Sequence, residues 1–186
     1  MSDELSLDFF NDERVSEWED RLDFVMETLS ATNSYENGDL VKENGPGLLL
    51  VQLSTDSIEE YASQMELNPW EEVDEAYVDN DDIGEFYEAF ENTCKQDGAV
   101  VVGSNGRIMG SNAYLEPPPE TKYQTERMQG SGAKHISAAR ISTLDELVYA
   151  KALSSTDGGI TTFVDGNIHK VKEREDFKDK WYDTEE

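Results

Sequence analysis

Three short stretches carry side chains whose types and spacing could do chemistry. Asp97-Gly98-Ala99 puts a carboxylate at the mouth of an apolar run that continues through Val100, Val101 and Val102. A carboxylate so placed can hold a cation or take a proton from a hydroxyl. Gly98 and Ala99 beside it leave room for a flat ligand against the backbone. The same triplet is also sound turn chemistry between a helix and a strand. The second stretch, GSGAKHISAAR (130–140), sets two glycines ahead of Lys134, His135 and a helix start. Backbone N–H groups at a helix N-terminus, with Gly132 at the entrance and Lys134 alongside, make an anion cradle, and His135 can donate to a phosphate oxygen. A glycine-rich loop with a surface lysine and a histidine cap would read the same way, and the spacing is not that of a Walker loop. The third, LSSTDGG (153–159), gathers Ser154, Ser155, Thr156 and Asp157 at a strand end. These oxygens could meet a phosphate or a hydrated metal, or simply form a turn.

Other chemistry is excluded. His135 and His169 are the only histidines, too few for a histidine-rich zinc site, and there is no Gly-x-Ser-x-Gly nucleophile elbow. Cys94 is the single cysteine, so no internal disulfide framework exists; it falls in a helical pattern and reads as a packed thiol. The 186 residues carry 42 acids against 15 Lys plus Arg, a formal charge of −27. So large an excess repels itself in dilute salt, and nucleic acid, which needs a basic face, is not an expected partner. In molar salt the screening length falls to about 3 Å and the repulsion is damped, so the composition suits a halophile. No apolar run approaches the ~20 residues of a membrane span, and no basic segment precedes an apolar stretch at the N-terminus. A cytoplasmic protein without membrane contact is expected.

The elements that must position these stretches follow from periodicity. Val15, Trp18, Leu22, Val25, Met26 and Leu29 recur at helical spacing, giving a helix whose apolar face packs on the domain behind it or on a second copy. Residues 32–39 read as a loop. GPGLLLVQLS (45–54) reads as a buried strand, 56–65 as a short helix with Asp56 as cap, and 81–96 as another helix. Residues 98–103 and 107–115 form a hairpin turning at Asn105-Gly106, with both turn residues at positive φ. Pro117 to Pro119 make 116–132 a surface loop. A short helix over 133–142, a strand over 147–154 and a second hairpin over 159–173, turning at Asp165-Gly166-Asn167, complete the order. Trp181 and Tyr182 anchor a final turn. The fold class is α/β, a mixed β-sheet flanked by helices. It divides into an acidic N-terminal helical extension (1–40), a central domain (45–172), for which the resemblance given next implies nucleotide binding, and a charged tail (173–186).

In this order of elements, DGAVVVGSNGRIMGSNAYL and GAKHISAARIS, followed by TLDELVYAKALSSTDGGI, resemble the diadenylate cyclase domain of DisA-type proteins over roughly residues 45–171. With the acid excess, the resemblance is to a halophilic archaeal member. It implies a DAC-type fold in which two ATP molecules meet across a pair of domains and condense to cyclic di-AMP with Mg²⁺ or Mn²⁺. It therefore implies ATP and a second copy of the chain as partners. Asp97 would serve the attacking hydroxyl or its metal, with Gly98 and Ala99 against the nucleotide. Lys134 and His135 would hold phosphates, with Gly132 beside them. Ser154, Ser155 and Thr156 would line the nucleotide, and Asp157 would share the metal. Three positions depart from the family pattern. Lys134 stands where a forked arginine is usual, Ile136 where a second arginine is usual, and Ser155-Thr156 where the family places two glutamates after a serine. A relative that binds ATP or cyclic di-AMP without turnover is the alternative.

Overall fold

The computed structural model describes residues 13–33, 35–36, 39–40, 47–55, 62–63, 78, 84, 86–88, 90, 98–116 and 132–177. A helix, α1 (Glu13–Asn33), leads into a two-residue hairpin, β1 (Tyr35–Glu36) and β2 (Asp39–Leu40). The sheet is built from β3 (Leu48–Leu53), β4 (Ala62–Ser63), β5 (Ala99–Val102), β6 (Ile108–Leu115), β7 (Leu147–Leu153), β8 (Ile160–Val164) and β9 (Asn167–Lys172). A second helix, α2 (Ala133–Ile141), precedes β7, and a 3₁₀ turn, Arg174–Asp176, follows β9. The strand order is β4-β6-β5-β3-β7-β8-β9. Only β3 and β5 pair in parallel among these neighbours, so the sheet is mixed and the α/β expectation holds.

The sheet separates two cores. On one face Leu48, Leu50, Val100, Val102, Tyr149 and Leu153 pack against the stripe of α1, together with Phe86 and Phe90. On the other, Leu49, Val51, Ala99, Ala150 and Ala152 pack against Ala138, Ala139 and Ile141 of α2. β3 and β7 contribute to both cores and are buried along their whole length, as central strands should be.

The expected helix over α1 is present, and its stripe of Trp18, Leu22, Val25, Met26 and Leu29 is buried against this chain's own sheet. Three local readings are corrected. Residues 32–39, expected as a loop, hold the last residues of α1 and the β1–β2 pairing. The short helix expected over 56–65 is not helical at Ala62–Ser63, which pair with Leu115 and Tyr114 of β6; cross-strand pairing overrides a weak helical pattern. In the first hairpin only Gly106 takes positive φ, +79°. Its N–H bonds Gly103 O at 3.0 Å, and Gly103 N–H bonds Arg107 O at 2.8 Å. This is a three-residue loop closed by a left-handed glycine, not a two-residue turn. In the second hairpin Asp165 (φ 47°) and Gly166 (φ 70°) are both left-handed, the two-residue geometry. Ile83, Cys94, most of the 116–132 loop, and Trp181 and Tyr182 lie outside the described residues.

The α1 face of the sheet also holds charge. Lys151 of β7 is fully buried, its Nζ 2.7 Å from Asp23 Oδ1, 2.9 Å from Glu19 Oε1 and 3.1 Å from Thr162 Oγ1. Lys172 of β9 reaches Asp23 Oδ2 at 2.7 Å and Glu27 Oε1 at 2.6 Å. Burial pushes Asp23 up, but the Lys151 and Lys172 ammonium groups override it and hold the carboxyl below its ordinary 3.8. Its stabilising contribution is therefore complete above the unfolded value and is lost as pH falls through the depressed one. Lys151→Met keeps the stem but removes the buried partner of Asp23 Oδ1 and Glu19, leaving Asp23 its contact with Lys172, and should cost about 2–4 kcal/mol in urea unfolding near pH 7. Asp23→Asn should flatten the acid limb of stability against pH. A Lys151→Met loss below about 1 kcal/mol, the value of an exposed pair, would show that the charges are solvated.

Candidate active site

The site sits where the C-terminal end of β7 meets the N-terminus of α2. A cleft of ≈ 390 Å³ is lined by Gly132, Ala133, Lys134, His135, Leu153, Ser154, Ser155, Thr156 and Asp157. The glycine-rich cradle and the hydroxyl run, twenty residues apart in sequence, thus form facing walls. The volume falls within the range that holds small ligands, about 300–1,000 Å³.

α2 begins at Gly132, whose backbone is extended (φ −69°, ψ 168°), with no side-chain cap and no acid in its first turn. A helix leaves its first N–H groups without intrahelical partners, and its dipole favours an anion there. The apolar side of α2, Ala138, Ala139 and Ile141, fixes the helix on the sheet. Lys134 and His135 are both half-buried at its start. The His135 ring stands edge-on to Phe163, centroids 6.2 Å apart at 82°. Burial lowers the His135 pKa from 6.5, while the Asp157 carboxylate works against that shift. The imidazole is thus neutral at pH 7 and can donate one N–H.

The opposite wall is a tight loop. Ser154 Oγ accepts from the N–H groups of Thr156 and Asp157, each at 3.3 Å. Ser154 N–H bonds Gly159 O at 2.9 Å, and Gly158 N–H bonds Ser154 O at 3.1 Å. Gly159 N–H donates to Asp157 Oδ1 at 3.0 Å. Burial would raise Asp157, but the Gly159 N–H, the Ser154 hydroxyl and the His135 charge outweigh it and hold the carboxyl below its ordinary 3.8. Asp157 is therefore anionic at neutral pH. Three hydroxyls and one carboxylate suit a hard cation that takes its remaining oxygen ligands from a phosphate ligand and water. No cluster of three His, Cys, Asp or Glu suited to a metal occurs among the described residues.

Asp97 lies outside the described residues. Gly98 takes φ +111°, where a side chain would be strained, and Ala99 is fully buried in β5 facing the α2 core. Neither Gly98 nor Ala99 belongs to the described wall of the cleft. Register still relates them to it: Ala99 is opposite Leu49, and Leu49 opposite Ala152. The start of β5 thus opens at the same sheet edge as the Ser154 loop, two strands or roughly 10 Å away. Sequence reasoning passed over Gly47, buried between the walls. A Cβ there would stand 3.2 Å from both Lys134 Cε and Ser155 Cβ. The signal was the Gly-Pro-Gly before β3, read only as a strand boundary.

Residues 43–168 match the family described as "DisA bacterial checkpoint controller nucleotide-binding". The chain belongs to this family. No curated protein sequence matches it. Among solved structures, a Bacillus cereus protein described as membrane-spanning aligns with TM-score 0.55 and 17% identity, over 83% of this chain and 63% of that one. This chain thus spans less than two thirds of that protein. A double-cysteine mutant of DacA from Staphylococcus aureus aligns with TM-score 0.50 and 15% identity, over 92% and 97% of the respective chains. These two likenesses establish a shared fold. No helix among the described residues is long and apolar enough to cross a membrane.

Followed by NMR, His135 should titrate below its ordinary 6.5. Asp157→Asn removes the anion that favours the imidazolium and should move the midpoint lower still. An upward move would mean that the two side chains do not sense each other across the cleft.

Proposed function

We propose that the protein is a diadenylate cyclase that condenses two ATP into cyclic di-AMP and pyrophosphate at an interface between two copies of the chain. The observation that supports this is the meeting of the α2 cradle and the Ser154–Asp157 loop in one nucleotide-sized cleft, within a family described by nucleotide binding. The acid excess supports a salt-rich cytoplasm as its setting.

In this reading the triphosphate lies at the open N–H groups of α2 with Lys134 and the neutral His135 beside it, each charge-assisted contact contributing about 1.5–3 kcal/mol. Ser154, Ser155 and Thr156 hold the nucleotide from the other side. Mg²⁺ or Mn²⁺, held by Asp157 and Asp97, would neutralise phosphate charge. Asp97 takes the proton of the attacking 3′-hydroxyl. That oxygen bonds to the α-phosphorus of the other ATP, the bond to the β-phosphate oxygen breaks, and pyrophosphate leaves. The partner copy repeats the exchange and closes the ring. Alignment of two bound nucleotides supplies much of the rate. One copy holds half of the reactants, so activity in dilute solution should rise more steeply than protein concentration.

Incubation with ATP and Mn²⁺ in concentrated KCl, followed by mass spectrometry, should yield cyclic di-AMP. Asp97→Asn should abolish product with ATP affinity nearly intact, and His135→Ala should weaken ATP binding about tenfold. Full turnover by Asp97→Asn would end the catalytic assignment. Tight ATP binding by the wild type without product would leave a binding module, the reading favoured by a single carboxylate where the family pattern has two.

A further inference from the structure

The loop that forms one wall of the cleft is held from behind by the N-terminal helix. Ser30 of α1 is fully buried, and its hydroxyl donates to Gly158 O at 2.7 Å across 128 residues of sequence. A helical serine or threonine commonly bonds back to the carbonyl four residues earlier, as Thr28 does to Phe24 O at 2.8 Å. Ser30 instead spends its proton on the loop. Arg174, in the 3₁₀ turn after β9, joins the same point. Its guanidinium reaches Ser30 O and Ala31 O, each at 3.5 Å, near the free carbonyl end of α1. Cations are favoured at that end. The turn carrying Arg174 is fixed by a capping box between Glu173 and Asp176 and by buried Phe177.

Gly158 is the joint. Its φ is +74°, and an added Cβ would stand 2.5 Å from Ser30 Oγ and 2.8 Å from Arg174 Cδ. Both the conformation and the contact demand glycine. The residue before it is Asp157, and its own N–H bonds Ser154 O. The clamp is thus one peptide from the carboxylate and closes the turn that presents all the hydroxyls.

We propose that Ser30 and Arg174 are positioning residues for the active site: through Gly158 they fix the Ser154–Gly159 loop, and with it the orientation of Asp157 in the cleft. The positioning role rests on the nucleotide reading above; the clamp itself does not.

Hydrogen exchange and ATP binding test it in the full chain. Ser30→Ala should speed amide exchange in a peptide covering 154–160 and weaken ATP affinity in the presence of Mn²⁺, each by roughly fivefold to tenfold. Ser30→Thr, which restores a hydroxyl, should recover most of both. Arg174→Met should move both in the same direction. Val25→Ala, a cavity in the α1 stripe away from the loop, should lower the melting temperature while leaving both readouts near wild type. Unchanged exchange at 154–160 in Ser30→Ala would overturn the clamp. Faster exchange with unchanged affinity, or an equal affinity loss in Val25→Ala, would overturn the positioning role. A wild type that binds no ATP would instead defeat the nucleotide reading, with the exchange comparison still deciding the clamp.

Discussion

Lys151 has no access to water, and one side of the molecule is arranged around its charge. An ammonium taken from water into a protein interior costs several kcal/mol unless opposite charge and hydrogen bonds compensate. The compensation here comes from elements distant in sequence: Glu19 and Asp23 from α1, and Thr162 from β8. Lys172 then shares Asp23 and adds Glu27. Glu19, Asp23 and Glu27 are spaced by four, so they form one row along α1, beside the apolar stripe. The stripe supplies most of the adhesion, at about 1.5–3 kcal/mol for each buried side chain. The ions fix which face of α1 meets the sheet, because a helix turned about its axis would carry the acidic row away from Lys151. The Tyr149 hydroxyl, buried without a hydrogen-bond partner among the described residues, lies in the same region, with Lys151 Nζ 5.0 Å from its ring centroid. Burial first, and the Glu19 and Asp23 charges after it, keep this phenol protonated.

That seating of α1 reaches the cleft. Trp18, toward the start of α1, lies against the turn of the first hairpin, where a Cβ on Gly106 would come within 2.7 Å of its ring. Ser30, toward the end of α1, bonds the loop after β7. Twelve residues of helix rise about 18 Å, close to the roughly 20 Å of a six-residue strand. The helix therefore spans the sheet from the far edge to the site edge. The apolar stripe and the ion pairs at its middle hold it there. The faces of the sheet are chemically unlike: one is locked by charge and large side chains. On the other, small residues such as Ala99, Ala138, Ala139, Ala150 and Ala152 let α2 approach closely.

How far the sequence revealed this depends on the range of each interaction. The α1 stripe, the apolar β3 run and both hairpins are local patterns, and each produced its element. Residues 56–65 carry Ile58, Tyr61 and Met65 at a spacing that fits a helix, but Ala62–Ser63 join β6 because a neighbouring strand was available, which no local pattern records. Asn105-Gly106 suggested a two-residue turn. The residues that compose it suit either loop, and hydrogen bonding between Gly103 and Arg107 selected the longer one. Lys134 and His135 were legible as a cradle, and Ser154 to Asp157 as a polar strand end; that they face each other is a consequence of α2 folding back onto β7. Gly47, Ser30, Gly158 and Arg174 drew no notice because each matters only through a partner far along the chain.

The charge balance of the cleft follows from the same economy. On the nucleotide reading proposed above, a protein of net charge −27 must offset its own field at one place to receive a polyphosphate. Lys134 and Asp157, the charged side chains on the described wall, nearly cancel. What remains positive is the helix end, whose N–H groups carry a fixed partial charge without titrating; the imidazole beside it adds a hydrogen-bond donor without adding charge. Such a site has little net field of its own and depends on geometry at short range, where salt screens least. On the same reading, a lysine where the resemblance implies a forked arginine is tolerable, because backbone groups would supply the orientation. The burden then falls on the rigidity of the two walls: α2 is held by its alanine face, and the Ser154–Gly159 loop by hydrogen bonds within itself and to α1.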